Sequence, residues 1–137
     1  MILAATLGAA ALTTPATANA DQTAGIPGFN CSVTAYTPTP YLNGENALAG
    51  VSCGGGQVSY SKDVQAQLMQ LLPGGWSVVA TSPWSGWSGI NPQQVGEIAG
   101  PCVPGRWYAT VAQGIVNHGG LQSSSSANTY GSGRQCH

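Results

Sequence analysis

Ionisable side chains are nearly absent from this chain of 137 residues: three Lys or Arg and four Asp or Glu carry its charge, for a net of −1. Each phosphate neutralised on a nucleic acid takes its own Lys or Arg, so no nucleic-acid track is expected. Nor is there a polybasic patch for anionic lipid. Solubility must come from Ser, Thr, Asn, Gln and Gly. Metal motifs are missing as well. None of the cysteines forms a C-x-x-C pair, no D-x-D-x-D-G loop or H-E-x-x-H helix occurs, and one of the two histidines is the last residue. Neither a metal nor a cofactor is expected.

Long apolar runs are also lacking. The stretch from Ile2 to Leu12 is broken by Thr13, Thr14 and Pro15, short of the ~20 residues that a membrane-spanning helix needs. It closes on Ala18-Asn19-Ala20, an A-x-A cleavage pattern. Residues 1–20 are therefore read as a secretory signal peptide, with no membrane insertion after cleavage at Asp21. Such a leader opens with Lys or Arg, yet no cation precedes Lys62, so its first residues are expected upstream of Met1.

The remainder is one domain's worth of chain. Residues 21–30 hold Gly25, Pro27 and Gly28 with few apolar side chains, which reads as an extended, mobile N-terminal arm. Residues 31–137 read as a single disulfide-bonded domain, because Cys31, Cys53, Cys102 and Cys136 make an even set in an exported chain.

Period-two alternation marks the strands. Cys31, Val33 and Ala35 alternate with Ser32, Thr34 and Tyr36, and Ala47, Ala49, Val51 and Cys53 share the next face. Between them Asn43-Gly44 signals a hairpin turn, which would set Cys31 opposite Cys53. Of the three possible connectivities this favours Cys31 with Cys53 and Cys102 with Cys136.

Residues 57–61, 76–81, 106–113 and a last segment near Thr129 and Tyr130 read as further strands. Val64, Leu68, Leu71 and Leu72 fall at i, i+4, i+7 and i+8, which favours one short amphipathic helix, with a strand as the alternative. Residues 82–104 read as loop because Gly and Pro recur through them, and residues 123–126 as a polar connector. Short strands divided by such turns predict a mainly all-β domain, a small antiparallel β-sandwich with two disulfides.

Chemistry has few carriers. In the ordered part only Glu45, Asp63, Glu97 and His118 can act as acid or base near neutral pH. Gly86-Trp87-Ser88-Gly89-Ile90 approaches the G-x-S-x-G elbow but ends on Ile90. Glu97, Arg106 and His118 match by type the base, phosphate clamp and acid of a small ribonuclease. A protease inhibitor is a further alternative, with Pro101-Cys102-Val103-Pro104 as a disulfide-braced loop. No catalytic residue is assigned.

Binding is the better-supplied reading, since Trp and Tyr give large contact area at low entropy cost. Trp84 and Trp87 stand among small residues, suited to a protein partner or to stacking on a sugar ring. The alternative is that one of them plugs the core, where Trp76 and Trp107 are also expected. The arm, through Gly25, Ile26, Pro27 and Phe29, is the second candidate contact, able to add to a partner's sheet edge.

The Ala-rich leader, the spacing of the four cysteines, Gly75-Trp76 and Pro104-Gly105-Arg106-Trp107-Tyr108 resemble small secreted proteins of actinobacteria. Among these the chain is most similar to the adaptor subunit of secreted umbrella toxin particles, in which a disulfide-bonded β domain links a lectin-like subunit to the toxin subunit. The resemblance implies an extracellular, non-enzymatic adaptor with other secreted proteins as partners, and it makes residues 21–30 the docking segment. The segment from Trp84 to Pro104 departs from that family.

Overall fold

The computed structural model describes residues 21–87 and 89–137; the expected leader lies outside the described residues. These fold into nine strands with no α-helix among them: β1 (Gln22–Gly25), β2 (Cys31–Tyr41), β3 (Gly44–Cys53), β4 (Ser61–Leu72), β5 (Gly75–Thr81), β6 (Gln93–Pro101), β7 (Trp107–His118), β8 (Leu121–Asn128) and β9 (Arg134–Gln135). One antiparallel sheet runs β1-β2-β3-β6. The other runs β5-β4-β7-β8, with β9 pairing the start of β7. The two pack as a sandwich, as the alternation and turn spacing predict. Among the described residues no helix is long and apolar enough to cross a membrane.

Small side chains line the space between the sheets. Val33, Ala35, Ala49 and Val51 of the first sheet meet Val64, Ala66, Ala112 and Val116 of the second, all fully buried. Gly114 sits at a close approach of the two sheets: a Cβ there would collide with Val51 and lie 3.2 Å from Val33. Overpacking a core of this kind costs about 1 to 3 kcal/mol. Gly114→Ala is expected to lose that much in urea unfolding, and an unchanged midpoint would contradict the close approach.

Both disulfides join the pairs that the hairpin argument favours. Cys31 and Cys53 face each other in the β2–β3 register, and Cys102 and Cys136 tie the end of β6 to the C-terminal segment. With sequence separations of 22 and 34 residues, each closure contributes about 3 to 4 kcal/mol in the chain-entropy view.

Several local expectations are overturned. The short helix is absent, since residues 61–72 form β4, hydrogen-bonded to β5 on one side and β7 on the other. Val64 and Leu68 satisfy helical and strand periodicities alike, and the two flanking strands decide between them. Residues 57–61 hold a 3-10 turn and a bend rather than a strand. Residues 123–126 are strand, within β8.

Residues 93–101, read as loop, form β6. Its Gly96 and Gly100 face inward, where added Cβ atoms would stand 3.2 Å from the Val64 carbonyl and 3.0 Å from Leu68. These glycines answer to packing rather than to turning. The hairpin turn is one residue early: Tyr41 pairs with Gly44, so Leu42 and Asn43 make the turn and Leu42 takes a left-handed φ of 53°.

The N-terminal segment is not a mobile arm. Residues 22–25 form the edge strand β1 along β2, and Ile26 is a core residue at 2% exposure. Asp21 is fastened too, its carboxylate accepting a hydrogen bond from the Thr37 amide at 2.9 Å.

Candidate functional site

β5 ends at Thr81, but the chain continues along the edge of β4 as a non-regular strand. The Ser82 amide donates to the Ala66 carbonyl at 2.8 Å, and the Ser85 amide to the Val64 carbonyl at 2.9 Å. Serine hydroxyls replace the missing backbone acceptors: Ser82 Oγ takes the Ala66 amide and Ser85 Oγ takes the Val64 amide. Asp63, buried at the start of β4, completes the attachment. Its Oδ1 accepts from the Gly86 amide at 2.9 Å and from Ser85 Oγ and the Val64 amide at 3.1 Å each. A carboxylate gathering several donors orders a loop more firmly than neutral pairs do.

That frame holds Trp84 and Trp87 partly out of the core, at 38% and 49% exposure. Trp84 walls a groove of about 350 Å³ whose floor and far side are Gln113, Gly114, Ile115 and Ser124, Ser125, Ser126. On β7 and β8, Gln113 pairs with Ser126 and Ile115 with Ser124, all on the face turned away from the first sheet. Among the described residues no ionisable side chain lines this groove. Among the described residues, the side chains of Gln113, Ser124 and Ser126 have no hydrogen-bond partner within the protein.

Of the contact residues expected from the sequence, Gly25, Pro27, Trp84 and Trp87 are at the surface. Ile26 is not, and Phe29 is half-buried, its ring edge-on to Tyr60 with centroids 5.6 Å apart. Tyr60 in turn stacks on His118 at 4.0 Å, which accounts for the imidazole as part of an aromatic cluster. Trp76 and Trp107, expected in the core, are half-buried. Trp76 stacks on Tyr130 at 5.0 Å, while Trp107 borders a second groove of about 400 Å³ with Arg106, Leu71, Leu72 and Gln135.

The ribonuclease-type trio is not brought together. Arg106 immediately precedes the twelve-residue strand β7 and His118 ends it, roughly 40 Å apart at ~3.3 Å per residue. Glu97 lies on β6 in the other sheet, accepting from Asn46 at 3.2 Å. Of the elbow, Ser88 lies outside the described residues, and no strand-to-helix turn follows among those that are described. The segment proposed for protease contact bends back: the Arg106 amide donates to the Val103 carbonyl at 3.1 Å, with Gly105 at a φ of 86°.

Two charged residues serve the interior in ways that composition did not reveal. Lys62 is fully buried, and its ammonium donates to the carbonyls of Val58, Tyr60 and Asn91 at 2.6, 2.7 and 2.8 Å. Burial pulls its pKa below the ordinary lysine value. Glu45, 1% exposed, pairs with Arg134 Nε at 3.0 Å. Burial pushes the Glu45 pKa above the usual carboxylate range, with the Arg134 charge and hydrogen bond opposing it. Among the described residues no cluster of three or more His, Cys, Asp or Glu side chains is placed to hold a metal ion.

No family model matches the chain, and neither a curated protein nor a solved structure shows significant similarity to it.

Proposed function

We propose that this chain is a secreted, non-enzymatic binding domain that acts through its tryptophan loop. The observation that carries the reading is the pair Trp84 and Trp87, held partly exposed on a segment fastened by a buried carboxylate. Aromatic groups fixed before binding lose little entropy on contact and supply a large share of interface energy. The leader-like residues 1–20 and the two disulfides support an oxidising, extracellular setting.

An adaptor role in an extracellular toxin complex follows from the resemblance to umbrella particle adaptors. Under that reading β1, the end strand of the first sheet among the described residues, is the second contact, where a partner could add a strand. The test is recovery of the native complex from culture supernatant through a tagged chain, with its components identified by mass spectrometry. A stoichiometric partner is expected, and the double variant Trp84→Ala, Trp87→Ala should recover at least tenfold less of it. Undiminished recovery by that variant, or elution of the wild-type chain alone as a monomer, would overturn the adaptor role.

A further inference from the structure

We infer that the groove beside Trp84 is a carbohydrate site that takes a neutral polysaccharide. The inference rests on the proposed binding function and names the chemistry of its ligand. Three properties of the groove point the same way.

The first is the wall. Trp84 lines one side of the groove and is 38% exposed, and indole is an apolar plate that can cover the C–H face of a pyranose ring. The Trp84 backbone is fixed in place, because its neighbours Ser82 and Ser85 are bound to β4 on both sides of it.

The second is the floor. Gln113, Ser124 and Ser126 present an amide and two hydroxyls that no group among the described residues uses. Each can both donate and accept, which is what sugar hydroxyls require of a partner. Cross-strand neighbours lie ~5 Å apart, and alternate residues along one strand ~7 Å apart, so these groups form a grid on the scale of a single sugar ring. A protein partner held at the same loop would reach well beyond this groove, since protein interfaces are much broader patches. Among the described residues, the large apolar side chains in this groove are Trp84 and Ile115.

The third is charge. Among the described residues no ionisable group lines the groove, so uronic acids, sulfated sugars and phosphates meet no cation there to repay their desolvation. At about 350 Å³ the groove is at the small end of ligand sites, suited to one or two rings of a chain that continues past it.

The experiment is native affinity electrophoresis of the full disulfide-bonded domain in gels containing, separately, β-glucan, xylan, mannan, galactan, dextran, polygalacturonate and heparin. At least one neutral polysaccharide is expected to retard the protein, and polygalacturonate and heparin are not. Trp84→Ala and Gln113→Ala should each weaken that retardation at least tenfold. Unchanged circular dichroism and thermal midpoint for Gln113→Ala, an outward-facing substitution, would show that folding is not the cause.

Retardation by no neutral polymer, retardation by the anionic polymers only, or neutral retardation indifferent to Trp84→Ala would each overturn the inference. If partner recovery from supernatant still depends on Trp84 and Trp87 while no polysaccharide retards the protein, the carbohydrate inference fails and the binding function stands. If a neutral polysaccharide binds through Trp84 and Gln113 while no protein partner is recovered, the inference stands and the adaptor role fails.

Discussion

Replacing Lys62 with Met is expected to lower the unfolding free energy by about 3 to 4 kcal/mol, although the two side chains are similar in length and the site is fully buried. The ammonium gathers the carbonyls of Val58, Tyr60 and Asn91 onto one atom, and hydrogen bonds to a charged donor contribute about 1.5 to 3 kcal/mol each. Met fills the space but leaves all three acceptors unpaired. Their partial rehydration at the loop ends keeps the loss below the full sum. Arg is not expected to rescue the variant, since a planar fork cannot converge on three carbonyls as a point charge does. Urea unfolding at pH 7 checks both, and a Lys62→Met protein within 1 kcal/mol of wild type would show that the carbonyl cage contributes little.

A comparable loss should follow Arg134→Met. Glu45 would then stay buried without its counter-charge, and breaking such a pair from one side typically costs about 3 to 5 kcal/mol. Here the lower end applies, because the Arg134 side chain is 29% exposed. The pH dependence identifies the cause.

In the wild type the Glu45 pKa is already raised above 4.5 by burial. A carboxyl whose folded-state pKa is raised contributes stability that is complete below the unfolded pKa and is lost as pH rises through the folded one. Removing Arg134 raises the folded pKa further, so the deficit of the variant should be largest near pH 7 and shrink as pH falls toward 4. Urea midpoints of wild type, Arg134→Met and Glu45→Gln across that range test this. Equal deficits for Arg134→Met at pH 7 and pH 4 would rule out the buried charge as its origin.

Part of the candidate site was visible in the sequence. Trp84 and Trp87 stood out because they lie among Ser, Gly and Pro, and that composition alone marks a loop. Its attachment did not stand out: Asp63 read as a spare acid, and only the pairing of residues 82–86 with β4 turns it into an anchor. The groove's polar floor was hidden for a similar reason. Gln113 belongs to a strand already expected, but Ser124 and Ser126 looked like connector, and a serine run gains strand geometry only from a neighbour such as β7.

What the chain determined by itself was local. Alternation of apolar and polar residues specified β2 and β3, and the turn between them put Cys31 across from Cys53. Everything that depends on a distant partner was left to the tertiary structure. Val64 and Leu68 fit either periodicity until β5 and β7 flanked them, and Gly96 and Gly100 mimicked turn signals until the opposite sheet required their lack of a side chain. Glu45 finds Arg134 across 89 residues of sequence. Periodicity reports the two faces of one element, whereas burial, pairing and close approach are properties of two surfaces in contact, and one strand's sequence describes only its own.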